Sequence, residues 1–243
     1  AALSGGDGLG VTTLSSALSA SGSLKIVSGT LSPGTRNITA SSFNIQKGTM
    51  SGSTGNLDIN GAFTLTGGTL IAPSGPFTVS GNWTKGSSGT FTPGTGTVTL
   101  DGGSQTLSGS TTFYGLKKQA ASTSTLTFPA GKTQTISGTW TATGSVGAML
   151  SLRSSTTGSQ WLVNPGGTRT LSYVDVKDSN NANATAITCD NNCVNSGNNT
   201  NWIFPWSGTV YTDEGITNIG AGKTVAISVD GGTAMTTTTN AAG

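Results

Sequence analysis

The chain has 243 residues, 33% of them apolar and only 8% charged, with a formal net charge of +2 and no histidine. Its eleven Lys and Arg are scattered, with Lys117-Lys118 the one adjacent pair, so a basic nucleic-acid patch is excluded. Lacking histidine and holding Glu214 as its single glutamate, the sequence also lacks the commonest base and metal ligand at neutral pH.

Polarity comes instead from Ser, Thr, Asn and 38 glycines. Hydroxyl and amide groups can stack in rows at the strand spacing of roughly 4.8 Å, where like charges would repel. No apolar run is long enough to span a bilayer as a helix. The opening Ala1-Ala2-Leu3 lacks Met, as expected of a secreted chain after signal-peptide removal.

Residues 12–20 carry a weak helical pattern, but their Ser and Thr content argues against a helix. The apolar alternation of residues 9–24 has no evident partner, which makes residues 1–24 a candidate donor or capping segment.

A repeat follows. Gly-Thr-apolar occurs at Gly29-Thr30-Leu31, Gly48-Thr49-Met50, Gly68-Thr69-Leu70 and Gly89-Thr90-Phe91, in steps of 19, 20 and 21 residues. Gly61-Ala62-Phe63 and Gly81-Asn82-Trp83 lie 20 apart, as do the pairs Leu57/Ile59 and Phe77/Val79. A period near 20 suits one coil of a β-helix, and each unit reads as short strands broken by Gly and Ser corners. The expected fold is all-β: a parallel β-solenoid over residues 1–204 with roughly ten coils, about 50 Å long at about 4.8 Å per coil. Tandem β-sandwiches, with the period marking hairpins, are the alternative.

Beyond residue 100 the pattern loosens but stays strand-like, at 125–128, 133–141, 150–152, 161–163 and 171–176. Asn180-Asn181, Asn191-Asn192 and Asn198-Asn199 read as turns, because Asn tolerates the left-handed conformation. Trp83, Trp140, Trp161, Trp202 and Trp206 are expected to fill the interior or close its ends rather than to form a glycan platform.

Cys189 and Cys193 enclose three residues, too few ligands for a closed zinc site and the wrong spacing for a redox pair. They are expected to form a local disulfide in an oxidising compartment. Asp175, Lys177 and Asp178 are the most enzyme-like cluster, yet Asp175 and Lys177 alternate with Val174 and Val176 as on a solvent face, and Asp178 reads as the start of a turn. Asp175, Asp178 and Asp190 lack the spacing of a calcium loop. Two Gly-Lys-Thr tripeptides fail as phosphate loops, since Leu126 and Thr217 stand where glycine is needed. The Thr-x-Thr pairs 64/66, 97/99, 125/127, 133/135 and 139/141 lie at intervals of 33, 28, 8 and 6, too irregular for a stacked hydroxyl array of the kind that binds ice or crystalline sugar; ordinary β-propensity explains them. Catalytic, metal and cofactor sites are therefore not expected. Asn37, Asn82, Asn183 and Asn198 stand in N-glycosylation sequons.

Gly-Asn-Trp-Thr, Gly-Thr-Phe-Thr-Pro-Gly, Ser-Tyr-Val-Asp-Val-Lys-Asp-Ser and Ser-Gly-Asn-Asn-Thr-Asn-Trp, all within residues 81–204, resemble the repetitive right-handed β-helix surface proteins of environmental bacteria. That resemblance implies a large surface or matrix component and carries over no catalytic motif. Residues 205–243 differ in pattern and resemble the opening of a carboxypeptidase-regulatory-type immunoglobulin-like module, stopping short of its later strands. The functional expectation is a secreted, non-catalytic structural subunit of a surface filament, sheath or matrix that binds copies of itself. A carbohydrate-binding adhesin contacting surface glycans comes second, and a polysaccharide-cleaving β-helix enzyme third.

Overall fold

The computed structural model describes residues 2–3, 10–189, 191–204, 219–227 and 235–240. Among these residues there is no helix, and 52% of them lie in strands. The chain divides into two compact units, Ala1–Phe204 and Pro205–Gly243.

The first unit is a parallel β-solenoid of about 9 turns, about 20 residues apart, fewer than the roughly ten coils the sequence suggests. At roughly 4.8 Å per coil the stack is about 43 Å long. Each coil lays strands on three faces. Leu18–Ile26 and Ile38–Ile45 are long strands that each cover the first two faces. Beyond them the coil bends at a corner, so that Leu57–Ile59 pairs with the first half of Ile38–Ile45 and Phe63–Leu65 with the second. The third face begins Val11–Thr13, Thr30–Ser32, Thr49–Met50, Thr69–Ile71 and Thr90–Thr92, all parallel and in register. Residues 11–26 therefore form the first fully described coil, paired with the second on one side and, at Lys25–Ile26, with Ala2–Leu3 on the other; no helix forms at 12–20.

Period-2 alternation makes this stacking favourable, because every second side chain points inward. One inward column runs Ile38, Leu57, Phe77, Val98, Leu116 and Trp140, and a second runs Leu24, Phe43, Phe63, Trp83 and Leu107. Leu31, Met50, Leu70 and Phe91 line the third face. All are buried. The aromatics meet across the interior: Trp83 lies 4.4 Å from Phe63, 5.8 Å from Phe77, 5.1 Å from Phe91 and 5.2 Å from Phe113 between ring centroids. Farther along, Phe128 stacks on Trp161 at 3.9 Å.

Glycine sets the corners. A Cβ on Gly68 would meet the Gly48 carbonyl oxygen at 2.1 Å, and its φ is +67°. The Gly-Thr-apolar repeat thus marks a corner, an outward threonine and an inward side chain in each of the four coils that carry it.

Two local expectations change. The run 171–176 is broken at Tyr173, whose φ of 50° turns a corner between Arg169–Ser172 and Val174–Val176. Asp178 turns the next corner at φ 56°, and Ser179–Asn181 is a strand rather than a turn. Its Asn181 amide donates to the Thr185 carbonyl of the same coil at 2.9 Å and to the Asn201 carbonyl of the next coil at 3.1 Å.

In the second unit, Thr224–Ile227 pairs antiparallel with Met235–Thr238. One hairpin does not define a sandwich, and residues 205–218, with Trp206, Glu214 and Thr217, lie outside the described residues.

Candidate functional site

Outward residues on the third face form two columns. Val11, Thr30, Thr49, Thr69 and Thr90 are successive register partners. Beside them stand Thr13, Ser32, Ser51, Ile71 and Thr92, with the Ser51 amide bonded to the Leu31 carbonyl at 2.9 Å. Leu31, Met50, Leu70 and Phe91, between the columns, point inward. The ladder stops after Thr90–Thr92; the next third-face strand, Thr111–Phe113, starts a separate sheet.

That break accompanies an enlarged corner. Val79 and Trp83 are four residues apart, whereas their partners Leu100 and Leu107 are seven apart, so this corner holds three more residues. It directs main-chain carbonyls inward, and Lys118 of the next coil caps them. Fully buried, Lys118 donates through Nζ to the Gly102 and Gly103 carbonyls, the latter at 2.7 Å, and to Gln105 Oε1 at 2.6 Å. Gln105 in turn donates to the Val79 and Gly81 carbonyls at 2.8 and 2.6 Å. Desolvation lowers the Lys118 pKa to about 8, partly opposed by the Asp101 charge. Lys117 points outward, so the adjacent lysines do not share a surface.

Toward the far end, Arg153 pairs with Asp175, which also accepts from Ser196 Oγ at 2.5 Å. Buried Asp178 accepts from the Asn198 amide at 2.7 Å and the Gly158 N–H at 3.0 Å. Those bonds hold its carboxyl below the ordinary range against the opposing effect of burial. Its oxygens are committed to a corner, so it is poorly suited to act as a general acid. Asp190 lies outside the described residues, and among the described ones no three His, Cys, Asp or Glu side chains gather where a metal could sit.

Cys189 and Cys193 form a disulfide with Cα atoms 5.8 Å apart. Cys193 also lines a shallow groove of about 580 Å³ with Val146, Met149, Tyr173, Asn192 and Val194. Val146 is 82% exposed at the tip of a turn closed by mutual Ser145 and Ala148 backbone bonds.

The four sequon asparagines divide into two pairs. Asn37 and Asn82 are exposed and use Oδ1 to accept from the Asn56 and Thr106 amides at 2.9 and 2.8 Å. Asn183 and Asn198 instead commit Nδ2, the atom a glycan would occupy, to Asn164 Oδ1 at 3.0 Å and Asp178 Oδ1 at 2.7 Å.

Of the tryptophans, Trp83, Trp140 and Trp161 are fully buried; Trp202 is half-buried, stacked on Phe204 at 5.8 Å. Sequence reasoning missed the Lys118 cap and the third-face columns. The columns were signalled by the threonine within the Gly-Thr-apolar repeat. No family model, curated protein or solved structure matches this chain.

Proposed function

We propose that the chain is a secreted, non-catalytic structural subunit of an extracellular filament, sheath or matrix, joined to copies of itself through strand complementation or end-to-end contacts. The last coil of the solenoid unit carries this reading. Among the described residues Val194–Asn195, Asn199–Thr200 and Trp202–Ile203 each pair with one strand, of the preceding coil. A parallel edge with a free side is a template for another chain's strand. Ile203, 49% exposed, and half-buried Trp202 and Phe204 add apolar surface there. The local disulfide supports an oxidising compartment. Sedimentation velocity over a range of concentrations is the test. Growth of the wild type with concentration, reduced by Ile203→Lys, supports the reading; a monomer at every concentration counts against it.

Glycan adhesion is a second reading, favoured by the groove in which Tyr173 and the Asn192 amide stand beside Val146 and Met149. A ring face with a nearby amide suits a sugar's apolar face and hydroxyls. Retention of the wild type but not Tyr173→Ala on a glycan array would support it.

A further inference from the structure

We propose that the third face of the first five coils is an ice-binding surface. Ten outward side chains stand on it in two columns, and eight carry hydroxyls: Thr30, Thr49, Thr69 and Thr90 in one, Thr13, Ser32, Ser51 and Thr92 in the other. Val11 and Ile71 complete it. Rows repeat at roughly 4.8 Å along the solenoid, and the columns are about 6.6 Å apart across a strand. The result is a two-dimensional lattice of hydroxyl and methyl groups.

The lattice is rigid. Threonine is stiff at χ1, and four of the five strands are anchored by the buried Leu31, Met50, Leu70 or Phe91 behind them. Among the described residues the hydroxyls of Thr30, Thr49, Thr69 and Thr90 have no protein partner, so their hydrogen bonds go to water. A preordered array has little freedom left to lose when it meets a solid of similar repeat, and many weak contacts then act together.

Charge selects the solid. None of the ten positions is charged, whereas the outward positions of the other two faces include Lys25, Asp58, Lys117, Arg153 and Asp175. A charged group keeps a hydration shell that does not fit a neutral lattice of water. The array also has no aromatic ring, which a crystalline polysaccharide would need for stacking on its sugar faces. Ice is the neutral, hydrogen-bonding solid that fits.

The test is partition of the fluorescently labelled full chain into a slowly growing ice hemisphere, together with inhibition of ice recrystallisation. Wild type should enter the ice and inhibit recrystallisation. Thr49→Lys and Thr49→Lys/Thr69→Lys should be excluded while keeping the wild-type circular dichroism melting curve, and Thr64→Lys on the second face should behave as wild type. Exclusion of wild type from ice overturns the proposal. So does retention by folded Thr49→Lys/Thr69→Lys, or adsorption to crystalline cellulose or chitin without entry into ice.

Discussion

Lys118 Nζ donates to Gln105 Oε1 at 2.6 Å inside the solenoid, joining the enlarged corner of one coil to the first face of the next. The lysine occupies an inward position between Leu100 and Ala142. There an apolar side chain would leave the Gly102 and Gly103 carbonyls and the Gln105 oxygen without a donor. Lys118→Met should therefore destabilise the chain by about 3 kcal/mol despite its apolar setting, read as a lowered urea midpoint.

The same lysine has a pH signature. Its pKa falls from 10.5 to about 8 on folding. Between those values the unfolded chain binds more protons than the folded one, so the contribution of Lys118 to stability rises with pH across that window. Below pH 8 and above 10.5 it is flat. The difference in urea midpoint between wild type and Lys118→Met should widen from pH 7 to pH 10; a narrowing would contradict the assignment.

Trp83 stands where four other aromatic rings converge. Trp83→Ala should cost about 3–5 kcal/mol and strand the Thr111 hydroxyl, which its indole N–H meets at 3.1 Å. Trp202→Ala, at the half-buried end, should cost clearly less. Thermal or urea unfolding of the two variants checks the order.

Two corner glycines separate strain from collision. Gly34 has φ +62° and open space where a Cβ would go, whereas Gly68 has φ +67° and the Gly48 carbonyl in the way. Gly34→Ala should cost about 1–2 kcal/mol from the left-handed conformation alone, and Gly68→Ala substantially more. Equal melting temperatures for the two would refute the stacking explanation.

In a host that glycosylates, Asn37 and Asn82 should be modified, while Asn183 and Asn198, with Nδ2 bonded inside the last coils, should stay bare. Peptide mass mapping reads this directly.

The solenoid was legible because its early coils keep steps of 19 to 21 residues between Thr30, Thr49, Thr69 and Thr90, each marked by glycine. Later coils lengthen through corner loops: Leu116 and Trp140 are partners 24 apart, and Trp140 and Arg169 are 29 apart. Insertions of that kind erase a period without disturbing the stack. The hydroxyl columns were hidden for a related reason. Thr-x-Thr pairs scanned along the chain fall on different faces, whereas the stacked array is written as Thr-Leu-Ser, Thr-Met-Ser, Thr-Leu-Ile and Thr-Phe-Thr. Lys118 was invisible because its alternation with Leu116 points inward while its charge argues outward. Three inward-facing acceptors decide the matter, and only the fold brings them together. Asn180-Asn181 has the composition of a turn, but amide stacking on the next coil holds Ser179–Asn181 as a strand.

Negative-stain electron microscopy of the purified chain at near-neutral pH tests self-assembly most directly. The account predicts unbranched fibres with subunits joined end to end, and their loss in Ile203→Lys. Dispersed single particles at every concentration, with the solenoid intact by circular dichroism, would contradict it.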